Sequence, residues 1–174
     1  QGGGEAGRLF TATLSRDLDR TGLFRMLDLG SFIDGGGSNV EDINFGNWAS
    51  IGARLLVTGK ISSGGGEVTI EARGFDVAER ALLGGKRYTG SSRDVRRMAN
   101  RFADEVLLLL TGEAGPFDSR LAFISTRSGR FKELYVMNLD GSDLRQLTRN
   151  QTINLSPSWA PDAKSLVFTS FKDG

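Results

Sequence analysis

Residues 149–156 read "RNQTINLS": a cation, three side-chain amides, two hydroxyls and two apolar residues, Ile153 and Leu155, that a closed core would not need there. Arg149, Asn150, Gln151, Asn154 and Ser156 offer charge and hydrogen bonds, and Ile153 and Leu155 offer apolar contact. Such a set suits non-covalent recognition of another protein, where apolar anchors sit inside a polar rim. Bond-making chemistry has far less to work with. The chain has no His and no Cys among its 174 residues. That excludes a Ser-His-Asp triad, a Cys-His pair, a thiolate zinc site and a histidine general base within it. Three glycine triplets lack the Lys-Ser/Thr ending and the strand-to-helix setting of a phosphate cradle, so they are expected to be loops and turns. "DGSD" at residues 140–143 lacks the spacing and closing Glu of a calcium loop and is expected to be a hairpin turn. The chain is therefore expected to be no enzyme, with no catalytic, cofactor-binding or metal-binding residue.

Charge points the same way. Lys and Arg number 22 against 21 Asp and Glu, a net +1 with both signs interspersed. A balance so even makes no case for a nucleic-acid partner, which would need a basic surface. The longest apolar run, "VLLLL" at residues 106–110, is too short to span a bilayer. The sequence starts at Gln1 without a visible signal peptide, as expected of a processed chain or a piece of a longer one.

The elements that position these residues fall into two textures. In residues 1–115, Leu9, Phe10, Thr13, Leu14 and Leu18 recur at helical spacing, and Gly22 suits the stop. "LFRMLDL" then reads as a short strand, "SFIDGGGSN" as a loop, and a short helix starting at Asn39 or Glu41 runs through Trp48. Residues 53–62 read as a strand turned by "SGGG" into "EVTIEARGFDVAER", whose alternation leaves one face wet. "GKRYTG" reads as a further strand. Val95, Met98, Ala99, Phe102, Ala103, Val106, Leu109 and Leu110 stripe a long helix, capped by Ser91 or Ser92 and stopped by Gly112. Arg93, Arg96, Arg97 and Arg101 lie mostly off the stripe, on the solvated face. This order predicts an α/β domain, a mixed sheet with helices on one face.

After the linker "EAGPFDSR" come short strands and tight turns, over residues 116–174. "LAFISTRSG" and "LVFTSFKDG" match at Leu, Phe, Ser and Gly, with Leu121 and Leu166 45 residues apart. A repeat of that length built from four short strands is the signature of a β-propeller blade. "NLSPSWAP" is then the inner strand, "PDA" a turn and "SLVFTS" the second strand, with Trp159 filling the space between blades. One repeat and part of the next are present, the truncated start of an all-β propeller. In a propeller, connections such as residues 149–156 gather at one mouth.

"FISTRSGRFKELYVMNLDGSDLRQLT" followed by "NLSPSWAPDAKSLVFTS" resembles the TolB family. "LDRTGLFRMLD", "NWASIGARLLVTGKI" and "RFADEVLLLLTGEAGPFDSRLAFIS" resemble that family's N-terminal domain, in order and spacing. Ala163 stands after Asp162 where the family pattern has Gly, so that turn is expected to differ. The resemblance implies a periplasmic protein-binding component of the Tol-Pal envelope system, supporting outer-membrane integrity and constriction during division. Its partner would be the lipoprotein Pal, through which it would associate peripherally with the outer membrane. TolA would be contacted by an N-terminal segment that these residues lack. The implied Pal contacts are Ile153, Asn154, Leu155 and Ser156, beside Arg149, Asn150 and Gln151, with Arg127, Arg130 and Lys132 in the neighbouring loop as weaker candidates. The alternative is the propeller portion of a prolyl-oligopeptidase-type serine peptidase whose catalytic domain lies elsewhere.

Overall fold

A computed structural model describes residues 4–32 and 37–172. The chain divides into two compact units, Gln1–Gly115 and Pro116–Gly174.

The first unit is built on helix α1 (Gly4–Arg20), helix α2 (Phe45–Ser50), strands β1 (Leu55–Gly64), β2 (Glu67–Asp76) and β3 (Ala81–Ser91), and helix α3 (Val95–Thr111). The strands form one sheet in the order β1-β2-β3, and both pairings are antiparallel. The sheet is thus antiparallel rather than mixed. Two tight connections account for this, since neighbours joined by short turns run in opposite directions. Gly64 pairs with Glu67, so Gly65 and Gly66 form a two-residue turn. Both have positive φ, 59° and 84°, as such a turn requires.

The long helices cover one sheet face. Val68, Ile70 and Ala72 of β2 are buried beneath α3, which buries Val95, Met98, Ala99, Phe102, Ala103, Val106 and Leu107. Helix α1 lies against α3 with Phe10, Leu14 and Leu18 buried. Ile70 pairs with Ile61 and Phe75 with Leu56, so alternation turns the second pair to the opposite face. There Leu56, Phe75 and Val77 cluster with Ile43, Phe45 and Trp48 of the α2 segment. The short helix thus covers the other face. Asn44 starts it by accepting a hydrogen bond from the Asn47 N–H.

Helix α3 follows a 3-10 turn at Ser92–Asp94, where the Asp94 carboxylate accepts from the Ser91 N–H at 2.8 Å and the Ser91 hydroxyl at 2.7 Å. These Ser91 bonds, hydroxyl first, hold the Asp94 carboxyl below its ordinary pKa. Gly112 ends the helix with φ 80°.

Two expectations fail here. Residues 23–29 form no strand: β1 and β3 both leave an edge open, but none of residues 23–28 is buried, so pairing there would gain no core contact. Leu109 and Leu110 are exposed while Leu107 is buried, since Leu109 lies over Gly84, which has no side chain to cover it. The loop expected at residues 31–39 lies partly outside the described residues.

The second unit holds β4 (Arg120–Ser125), β5 (Glu133–Asn138), β6 (Arg145–Gln146), β7 (Asn154–Trp159) and β8 (Leu166–Ser170). β4-β5-β6 form an antiparallel meander, and β7 and β8 form a second antiparallel pair. β4 and β8 are the 45-residue equivalents. β7 has no equivalent beside β4 among the described residues, because the corresponding positions near residue 110 end helix α3. Trp159 lies between the two sheets, with the Arg120 guanidinium 4.5 Å from its ring centroid.

A candidate functional loop braced by a buried amide network

The strands of the second unit run back and forth between two ends. One end gathers the β4–β5 loop, the β6–β7 loop and the residues after β8. These segments are tied by backbone contacts. The Asn154 N–H donates to the Lys132 carbonyl at 3.1 Å, and the Phe171 N–H donates to the Ile153 carbonyl at 3.0 Å. Lys132 and Ile153 form a parallel bridge. The candidate loop therefore sits between two neighbours of fixed register.

Beneath it lies a polar network. Asn154 is 0% exposed and Glu133 2% exposed. The Glu133 carboxyl accepts from the Thr148 hydroxyl at 2.5 Å and the Gln151 N–H at 3.0 Å. Asn154 Nδ2 donates to the Lys132 carbonyl at 2.7 Å and to Asn150 Oδ1 at 2.9 Å. Asn150 Nδ2 also reaches Ser170 Oγ at 3.1 Å, and Thr152 Oγ1 donates to the Phe171 carbonyl at 3.0 Å. A buried polar group is tolerated when its bonds are made, and a satisfied network fixes one conformation. Here it fixes a backbone that turns sharply at Gln151, φ 55°. At the start of β7 the register against β8 shifts between Leu155 and Ser158, a bulge with Ser156 at φ 51°.

The residues singled out from the sequence thus divide. Arg149, Gln151, Ile153 and Ser156 are exposed, Ile153 by 48%. Leu155 and Asn150 are half-buried. Asn154 holds the loop from below and presents no surface. The brace that sequence reasoning missed is Glu133 with Thr148. Nothing in "FKELYV" separates a buried Glu from the exposed one that strand starts usually carry. "DGSD" is a turn, in which the Asp140 carboxyl accepts from the Ser142 N–H at 2.9 Å.

The arrangement has hydrogen-bond donors, cations and an apolar side chain on a rigid support. It is the class of an α/β domain joined to opening propeller strands that present a loop suited to binding. Residues 1–83 match the family model described as TolB amino-terminal domain. The chain is 41% identical over 157 residues to Tol-Pal system protein TolB of Syntrophotalea carbinolica, covering 88% of this chain and 36% of that protein. It is 38% identical over 181 residues to the protein of the same name in Syntrophus aciditrophicus, covering 100% of this chain and 40% of that protein. The crystal structure of TolB from Acinetobacter baumannii superposes with a TM-score of 0.78 at 22% identity, over 94% of this chain and 41% of that one, a likeness of fold. Over the residues it spans, the chain belongs to the TolB family. It spans about two fifths of the length of these relatives.

Proposed function

We propose that the protein carrying this chain is a periplasmic, non-enzymatic binding component of the Tol-Pal system. It docks the periplasmic domain of the lipoprotein Pal and so supports outer-membrane integrity and constriction during division. Residues 1–115 serve as its N-terminal domain and residues 116–174 open its propeller. TolA is engaged by a segment outside these residues. The observation that carries the reading is the loop of residues 149–153: in a TolB-family chain, Glu133 and Asn154 brace it so that Ile153 stands exposed at the end of the blade. Rigid presentation of an apolar side chain inside a polar surround lowers the ordering cost of binding.

The test is calorimetric titration of the full-length protein with the soluble domain of the Pal of its own organism, beside an Ile153→Asp variant. Binding that weakens at least tenfold in the variant supports partner and loop together. Binding unchanged by the variant moves the contact elsewhere. Absence of binding between two folded proteins refutes the reading.

A further inference from the structure

The two ends of the blade differ in charge. Arg127, Arg130, Lys132, Arg149 and Lys172 all lie at the end that carries Ile153, and all are exposed. None forms an ion pair among the described residues. The acidic side chain at this end among them is Glu133, buried and occupied with Thr148 and Gln151. At the opposite end charges of both signs are present: Arg145 pairs with Asp143 at 3.3 Å, Arg120 stacks on Trp159 while donating to the Ala163 carbonyl, and exposed Lys164 lies two residues from exposed Asp162.

Two of the cations at the loop end rest on aromatic rings. The Arg127 guanidinium stands 5.9 Å from the Tyr135 ring centroid and that of Arg130 4.8 Å from Phe131. Lys132 is fixed in the backbone bridge to Ile153. Between them Ile153 and Phe171 are exposed, by 48% and 50%, and hydrogen-bonded to each other through the backbone. The surface therefore has an apolar centre inside an unbalanced positive rim.

We propose that this end of the blade recognises an acidic protein surface with an apolar centre, and that the cations act chiefly by steering its approach. The proposal rests on the Pal reading and adds the chemistry of the partner face: carboxylates placed to meet Arg127, Arg130 and Arg149 around an apolar contact for Ile153 and Phe171. A protein fits better than nucleic acid because the apolar pair occupies the middle of the patch, and the chain's net charge is only +1. Rim charges raise association rates and salt dependence more than they slow dissociation.

The experiment measures association and dissociation rates of the Pal domain with the full-length protein at low and physiological salt. The same is done for Arg127→Glu/Arg130→Glu/Arg149→Glu, for the triple Gln variant, and for Lys164→Glu at the opposite end. A fluorescein-labelled DNA duplex is run in parallel. The expected result is an association rate reduced about tenfold by the Glu triple and less by the Gln triple, with a flattened salt dependence and little change in dissociation. Lys164→Glu is expected to leave the rates unchanged. Association by the Glu triple at the unaltered rate, with normal Pal binding by the wild type, overturns the steering proposal and leaves the Pal reading standing. Absence of Pal binding by the wild type overturns both. Tight duplex binding lost in the Glu triple assigns the patch to nucleic acid and overturns the proposal.

Discussion

Truncating Asn154 to Ala tests whether the amide network holds the loop. The substitution removes a fully buried side chain, its 2.7 Å bond to the Lys132 carbonyl, and its exchange with Asn150 at 2.9 and 3.0 Å. The Lys132 carbonyl keeps the Asn154 backbone N–H, and half-buried Asn150 can turn to water, so the penalty for unmet bonds is partial. A lost buried hydrogen bond of this kind costs about 1–2 kcal/mol, and the small cavity adds about 1 kcal/mol. The expected loss is about 2–3 kcal/mol, a factor of roughly 30–150 in the unfolding equilibrium of the second unit. Urea unfolding of the full-length protein, followed by its tryptophan fluorescence for wild type and variant alike, reads it as a lower midpoint at constant slope. Asn150→Ala should cost less, and the double variant should lose less than the two single losses together, because the residues share bonds. A loss below about 0.5 kcal/mol for Asn154→Ala would refute the argument that the network braces the loop.

Other predictions concern single positions. Ala163 has φ 53°, a left-handed conformation that costs an L-residue about 1–2 kcal/mol, offset partly by the extra unfolded-state freedom of Gly. Ala163→Gly should therefore raise the stability of the second unit by about 0.5–1 kcal/mol in the same urea experiment. A Cβ on Gly59 would stand 2.6 Å from the Glu71 carbonyl oxygen, so Gly59→Ala must part β1 from β2. A loss of about 1–3 kcal/mol in thermal unfolding is expected. Asp94 has a depressed pKa, so its contribution is present above its ordinary value of 3.8 and is lost as pH falls through the lower folded value. Asp94→Asn should flatten that part of the acid limb when melting is followed from pH 5 to below pH 3. Ile153→Asp, being exposed, should shift stability by under about 0.5 kcal/mol, so any binding loss belongs to the interface.

Local periodicity made much of the fold legible before any coordinates. The apolar stripe of α3, the paired glycines between β1 and β2, and the 45-residue spacing of β4 and β8 each rest on interactions near in sequence. The failures rest on interactions that are distant. Residues 23–29 alternate well enough for a strand, yet none of residues 23–28 is buried, and a strand with no face to bury gains little from pairing. Leu109 falls on the stripe, yet what it meets on β3 is Gly84. The candidate loop was legible by composition and its position before the Pro157-Ser158-Trp159 run. Its division of labour was not. Asn154 and Asn150 are the same residue type four positions apart, and only the Lys132 carbonyl and the Glu133 carboxyl decide which faces inward.

The free side of β4 bears on the order of folding. β4, β5 and β6 are joined by short loops and can form as soon as those residues are available, as can α1, α3 and their sheet. Every other described strand is already placed, so among the described residues the outer side of β4 has no strand neighbour. A strand brought there from far along the same protein would close a long loop, whose entropy is lost before any hydrogen bond is gained. Pairing at β4 is therefore expected to come late in assembly. Until it happens the molecule carries an edge on which two copies can join, so slow folding and concentration-dependent association should rise and fall together.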